Sequence, residues 1–420
     1  MNTPAPTVVV LGTLDTKGTE HRHLVAKIRQ LGARTLLIDV GVGAPAPDAD
    51  IDNVAVAAAA GTTVAELVAK GDRGHAVDTM AQGAATLLTQ LRHEGRLDGA
   101  VALGGGGGTT LAGTAFAVLP VGVPKLVVST IAAGDMRAHV HGGDLTFTYA
   151  VLDIAGLNRI TRVIIDNAAG AIVGMAGAAV ARDDARSNSG TTCDERPMVA
   201  VTSFGVTTHA VQTASAALTS VGYEPVVFHA VGSGGESLET LIRAGSFAGV
   251  LDITTTELAD DLLGGVMSAG PDRLTAAADT GTPQVVSVGA LDIVNLGAPE
   301  GIAPEYRGRR LIAHNSRMTL MRTTVEEATE LGKRLADKLN RARGPVTLYL
   351  PLAGTSSLSI TGGPFHDPLA DEALFSAIRT HLAKTVSLVE LDLDVNDTRF
   401  ATAMVDGLLC QMPTATKEPK

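Results

Sequence analysis

Short runs of β-branched and aliphatic residues alternate with glycine-marked loops and amphipathic stretches along most of the chain. Thr7 to Leu11 reads as a strand, and Gly12 to Gly18 as the loop after it. Glu20 to Leu31 has helical spacing, with Leu24, Ile28 and Leu31 on one face. Gly32 ends that helix, and Thr35 to Val40 is a second strand closed by Gly41 and Gly43. So short a crossover implies parallel strands. The cadence returns with a strand at Gly99 to Leu103, a loop at Gly104 to Thr110, a helix at Leu111 to Leu119 and a strand at Lys125 to Thr130.

The same order restarts after Pro197. Met198 to Val201 is a strand, Ser203 to Thr208 a small-residue loop, Val211 to Val221 a helix and Pro225 to His229 a strand before Gly232 to Gly235. Strands at Gly249 to Ile253 and Gln284 to Val288 follow. Two halves on one plan predict two doubly wound, mostly parallel-sheet, Rossmann-like α/β domains, with a ligand cleft between them. The expected boundaries are an N-terminal domain over 1–182, a polar linker over 183–196 and a C-terminal domain over 197–420. Asp48 to Gly74 is Ala-rich and predicts a helix, and Met412 to Lys420 reads as a frayed tail.

Composition narrows the partners. Aromatic residues make up 3%, Trp is absent and the net charge is −11, so neither stacking platforms nor a basic face favours nucleic acid or an anionic membrane. The 420 residues exceed one ordinary core, which agrees with two domains. Cys193 and Cys410 form neither a disulfide framework nor a metal cluster, which fits a cytoplasmic setting. Met1 to Pro6 lacks the pattern of a signal peptide. The low-charge run Ala168 to Ala181 is shorter than a membrane span and reads as a buried helix.

Open parallel sheets bind ligands beyond the carboxyl ends of their strands, which selects the loops. In the first half these are Gly12 to Gly18, Gly104 to Thr110 and Ser129 to Asp135. Glycines let backbone N–H groups approach an anion, and the following helix adds a positive dipole end. Lys17 neutralises phosphate charge, Thr109 and Thr110 add hydroxyls, and Asp15 or Asp135 is placed to hold Mg2+. Neither the P-loop nor the Rossmann fingerprint is matched, because Gly104 to Thr110 has no Lys and Thr109 stands where the fingerprint needs Gly. The plain reading of a glycine run is a tight turn with close helix–sheet packing.

In the second half, His229 at a strand end is a general acid or base by type, or a histidine bonded into a loop. Thr254-x-x-Glu257 fits a capping box, and Asn396-Asp397 a simple Asx turn. Arg309, Arg310, Arg317 and Arg322 are either anion clamps or solvated side chains.

Several strings together resemble the ATP-binding family named after the tomato mosaic virus resistance protein. They are Gly12-Thr-Leu-Asp-Thr-Lys-Gly-Thr-Glu20, Gly104-Gly-Gly-Gly-Gly-Thr-Thr110, Pro120 to Lys125, Ser129-Thr130, Gly134-Asp135, Asp153 to Asn158 and Asn167 to Gly170. Phe204 to Thr208, Phe228-His-Ala230, Leu251 to Leu258, His314-Asn315, Thr319 to Arg322 and Asn396-Asp397 continue them. One departure is Asp394-Val395, where the family pattern leads one to expect His-Ile. The resemblance implies two domains, ATP in the first, and a homodimer. It also implies a place in small-molecule metabolism beside a phosphoenolpyruvate-hydrolase-like barrel. The plant member blocks a viral replication protein.

The expected ATP contacts are Gly12, Thr13, Asp15, Thr16, Lys17, Gly104, Gly105, Gly106, Gly107, Gly108, Thr109, Ser129, Thr130, Gly134 and Asn167. Lys17, His229, Glu257 and Arg322 are the expected catalytic residues, and Asp15 and Asp135 the magnesium ligands. The leading expectation is an Mg-ATP-dependent enzyme acting on a small carboxylated substrate. The alternatives are an ATP-binding regulatory module without turnover, and a nucleotide-independent lyase or hydrolase using His229 and Glu257.

Overall fold

The computed structural model describes residues 5–188 and 196–412. The chain divides into two compact units, Met1–Asp194 and Glu195–Lys420. Unit 1 runs β1 (Thr7–Gly12), α1 (Leu14–Gln30), β2 (Arg34–Asp39), α2 (Asn53–Ala59), α3 (Val64–Lys70), α4 (Arg73–His93), β3 (Gly99–Gly104), α5 (Gly106–Phe116), β4 (Lys125–Ser129), α6 (Arg137–Val140), β5 (Thr146–Tyr149) and α7 (Arg159–Asn188). Its five strands are all parallel, in the order β2-β1-β3-β4-β5.

β1, β3 and β4 are buried along their whole length, which is why they read as unbroken apolar runs rather than alternating ones. α1 and α7 pack on one face of the sheet through Leu24, Ile28, Ile165, Ala169 and Ile172. α2 to α5 cover the other face through Val56, Leu67, Met80, Leu88 and Leu111. The helix expected in the Ala-rich stretch is two short ones, α2 and α3. The run Ala168 to Ala181 lies inside α7, whose length and composition would let it cross a membrane; one third of its most apolar window is buried within the unit. α7 continues to Asn188, so the start of the expected linker is helical. Residues 189–195, Cys193 among them, lie outside the described residues, as does the tail after 412.

Unit 2 runs β6 (Met198–Ser203), α8 (Thr208–Ser220), β7 (Glu224–His229), α9 (Ser233–Arg243), β8 (Gly249–Thr254), α10 (Glu257–Leu263), α11 (Ala276–Thr280), β9 (Gln284–Gly289), β10 (Ile293–Leu296), β11 (Leu311–Asn315), β12 (Met318–Arg322), α12 (Val325–Leu339), β13 (Val346–Pro351), α13 (Pro368–His381), β14 (Ser387–Leu391) and α14 (Thr398–Gln411). Six strands form a parallel sheet ordered β14-β13-β9-β8-β6-β7, and β10-β12-β11 form a small antiparallel one.

Both units are therefore doubly wound, mostly parallel and Rossmann-like. In each, the first strand sends its first crossover to the edge and its second to the opposite side: β2 and β3 flank β1, and β7 and β8 flank β6. The carboxyl ends at these switch points are where such sheets open a crevice.

Candidate functional site

The switch point of unit 1 opens a cavity of about 610 Å3 over the ends of β1, β2 and β3. Its first wall is the segment just after Gly12; Gly12 itself, an expected ligand contact, is buried and outside the lining. The His21 ring is wholly buried beneath, and its Nε2 lies 2.1 Å from where a Cβ on Gly12 would stand. Burial lowers the pKa of this imidazole, and its Nδ1 lies 2.7 Å from the Lys17 carbonyl. α1 starts two residues after Gly12 and is kinked at Lys17 (φ −129°, ψ 27°). The segment expected as a loop is thus one helical turn, which leaves Thr13, Asp15, Thr16 and Lys17 on the cavity wall.

The neighbouring loop is braced by carboxylates. Asp39 accepts from Leu14 N at 3.1 Å and Gly41 N at 3.0 Å, joining the ends of β1 and β2. Asp15 lies over Gly41 and Gly43, accepting from Gly43 N at 3.0 Å; a Cβ on Gly41 would come within 2.7 Å of its carboxyl. Lys17 Nζ donates to the Ile154 carbonyl, and Glu20 accepts from Gly156 N, so the loop after β5 is stapled to α1.

The third wall is the glycine run, which is not a loop. Gly105 is the N-cap of α5, and Gly106 to Gly108 form its first turn. Gly104 is required by packing, since its Cβ would meet Gly108 Cα at 2.8 Å. Gly106 and Gly107 differ: a Cβ on either meets nothing within 4 Å. Their backbone faces open space at the positive end of a helix, which is an anion-binding arrangement. Leu67, Val77 and Met80, from α3 and α4, supply an apolar side opposite, and Asp72 and Arg73 complete the rim.

Several expected ligand contacts fall elsewhere. Thr109 and Ser129 are fully buried and bonded to each other at 2.7 Å, pinning α5 to β4 rather than facing a ligand. Thr110 returns its hydroxyl to the Gly106 carbonyl. Thr130 and Gly134 follow β4 outside the cavity lining, and Asn167 is exposed on α7. Asp135 also lies off the wall; the Arg137 guanidinium beside it, at 2.7 Å, holds its carboxyl down at about 2. The two expected magnesium ligands therefore do not meet. Among the described residues no group of three or more His, Cys, Asp or Glu is arranged for a metal. The carboxylates on the cavity wall are Asp15 and Asp72, a set that fits Mg2+ only when phosphate oxygens complete the shell.

Unit 2 corrects two expected catalytic roles. Glu257 is fully buried; one oxygen accepts from Gly232 N (2.7 Å) and Gly235 N (3.1 Å), and the other from Arg273 Nε (2.6 Å). Burial pushes its carboxyl above the usual range against the pull of Arg273, and no face is left for a substrate. Nor is it a capping residue: Thr256, not Thr254, is the N-cap of α10, with no side-chain cap bond. Arg322 is likewise a strut, buried and donating to the Phe365 carbonyl, Thr323 Oγ1 and Asp371. His229 is exposed, stacked on Phe204, with Nδ1 3.0 Å from the Ser203 carbonyl. Asn396 bridges α8 to the end of β6, donating to the Val206 carbonyl and accepting from Ala210 N.

Sequence reasoning missed Asp72, Arg73 and the apolar wall. The signal was available in the Asp72 N-cap before a long amphipathic stretch.

Comparison with known proteins places both units. Residues 6–181 match the N-terminal domain model of the uncharacterised protein family UPF0261, and residues 196–412 match its C-terminal domain model. A UPF0261 protein of Clostridium tetani is 43% identical over 407 residues, covering 96% of this chain and 98% of its own length. One from Rhizobium meliloti is 42% identical over 400 residues, covering 95% and 97%. The ToMV resistance protein Tm-1 of Solanum lycopersicum is 40% identical over 339 residues, which are 80% of this chain and 44% of the tomato protein.

Proposed function

This chain belongs to the UPF0261 family, and on that footing we propose that unit 1 binds ATP with Mg2+ and that the protein uses it to act on a small carboxylated substrate. The observation that carries the reading is the open backbone of Gly106 and Gly107 at the start of α5, lining one cavity with Lys17. Phosphates take the N-terminal turn of α5. Lys17, already half-buried and directed at a carbonyl, turns to a phosphoryl oxygen and neutralises charge there. The base lies on Leu67, Val77 and Met80. Asp15 would hold magnesium together with the nucleotide phosphates, and the metal would supply polarisation of the phosphoryl group. The reading includes a cytoplasmic homodimer and a barrel protein of the phosphoenolpyruvate-hydrolase type as a metabolic companion.

Calorimetry with Mg-ATP tests it, together with ADP release in the presence of pooled sugar acids and keto acids. Micromolar binding lost in Lys17→Ala supports the nucleotide site, and substrate-dependent ADP release supports turnover. Wild-type protein that binds no nucleotide refutes the first part; binding without ADP release in any pool refutes the second.

A further inference from the structure

The switch point of unit 2 holds its own cavity, of about 490 Å3, between the loop after β6, the end of β7 and the β11–β12 hairpin. Like the glycine-lined cavity of unit 1 it lies beyond the carboxyl ends of the first two strands of its sheet, but no residue of the β8–α10 junction lines it and its chemistry differs. Phe204 and His229 form one wall as a stacked pair, with ring centroids 5.6 Å apart and planes inclined by 26°. Met267, Ile312, Leu320 and Leu358 are among the apolar residues around it. The lining contains no Asp, Glu, Lys or Arg.

Three polar residues line this apolar space: His229, His314 and Asn315. Asn315 accepts from Arg317 N through Oδ1, which leaves its amide N–H groups as the free end. The rim therefore offers donors to a ligand that brings acceptors. A polyphosphate is poorly served, because no Lys or Arg lines the cavity and Gly205 is the single glycine in its wall. An amine finds no carboxylate. A cavity of this size, mostly apolar with a few converging polar groups, is the usual form of a small-molecule site.

We propose that this cavity binds a small organic acid with a ring-sized apolar body, the body against the Phe204–His229 pair and the carboxylate at His314 and Asn315. Calling that acid the substrate of the nucleotide-dependent reaction rests on the function proposed above; the selectivity of the cavity does not.

Benzoate is the probe, titrated into the full chain by calorimetry beside benzyl alcohol and inorganic phosphate. Benzoate is expected to bind at least ~10-fold tighter than benzyl alcohol, the loss of a charged hydrogen bond. Phosphate is expected to leave benzoate binding unchanged. Leu358→Trp fills the cavity and abolishes benzoate binding, while His314→Ala, at an exposed hairpin position, weakens it by ~10-fold or more without unfolding risk. Failure of benzoate to bind, equal affinity for benzyl alcohol, displacement by phosphate, or indifference to His314→Ala overturns the proposal. Mg-ATP titrated into the same samples separates the two readings: benzoate binding without ATP binding sinks the nucleotide site and leaves this one standing.

Discussion

Replacing Gly107 with alanine sets stability and binding in opposite directions. An added Cβ at this position meets no atom within 4 Å, and the residue lies in the first turn of α5 without a positive φ. The folded protein accommodates the methyl, and alanine forms helix better than glycine, by at most ~0.5–1 kcal/mol. For a unit of this size the melting temperature then rises by up to ~2–4 °C. The same methyl stands where the backbone must meet a phosphate. Losing one charge-assisted hydrogen bond costs ~1.5–3 kcal/mol, a ~10- to 100-fold weaker Kd. At a ligand concentration ~100 times the wild-type Kd, ATP adds ~2.7 kcal/mol to the wild type and only ~1.4 kcal/mol or less to the variant. Thermal melts with and without Mg-ATP, paired with calorimetry, read both effects. Gly104→Ala is the contrasting variant, since its Cβ would press on Gly108 backbone at 2.8 Å and lower stability by ~1–3 kcal/mol without ligand. A Gly107→Ala protein with unchanged ATP affinity, or with lowered stability in the absence of ligand, refutes the reasoning.

Three further outcomes are expected. Gly12→Ala should cost ~1–3 kcal/mol in urea unfolding, because the His21 ring is buried and cannot move aside; adding His21→Ala should recover part of that loss, and strict additivity of the two would count against the contact. Glu257→Ala should destabilise unit 2 by ~1–3 kcal/mol by leaving the buried Gly232 and Gly235 N–H groups without their acceptor, whereas His229→Ala should change stability by ~1 kcal/mol or less; a fully stable Glu257→Ala protein would contradict the anchoring role. Burial raises the Asp260 carboxyl from the ordinary 3.8 to about 7, so the native state binds its proton more tightly than the unfolded chain does. That stabilisation is fully present below about pH 4 and is lost as pH rises to 7, by ~4 kcal/mol at most. Urea unfolding of wild type and Asp260→Asn from pH 4 to 8 should show their difference shifting in favour of the variant as pH rises, and parallel curves would refute it.

The strand–loop–helix cadence made β1 to β4 and β6 to β9 legible, because parallel strands buried on both faces leave unbroken apolar runs that glycine punctuates, while β5, β13 and β14 went unread. It also placed Gly12 to Lys17 and Gly104 to Gly108 near one another, since switch-point geometry follows from strand order. The side chains were less legible. Thr254-x-x-Glu257 carries the spacing of a cap, but Thr254 is the last residue of β8 and Glu257 turns instead to Arg273. Arg322 looked like the other arginines until burial singled it out. Thr109 and Ser129 have hydroxyls suited to phosphate, and spacing alone does not reveal that each satisfies the other. The antiparallel sheet β10-β12-β11 escaped because its short strands interrupt the α/β order with no glycine-run marker.

The Glu257 carboxylate sits against Gly232 and Gly235, where the chain turns into α9. In effect the α9 turn of unit 2 carries its own acceptor, tethered by the polypeptide and unable to dissociate. Among the described residues no side chain bonds to the first-turn N–H groups of α5. If unit 1 takes the diffusible anion proposed above, that ligand would protect its α5 turn from proteases only while it is supplied, whereas the α9 turn of unit 2 keeps its acceptor at any ligand concentration.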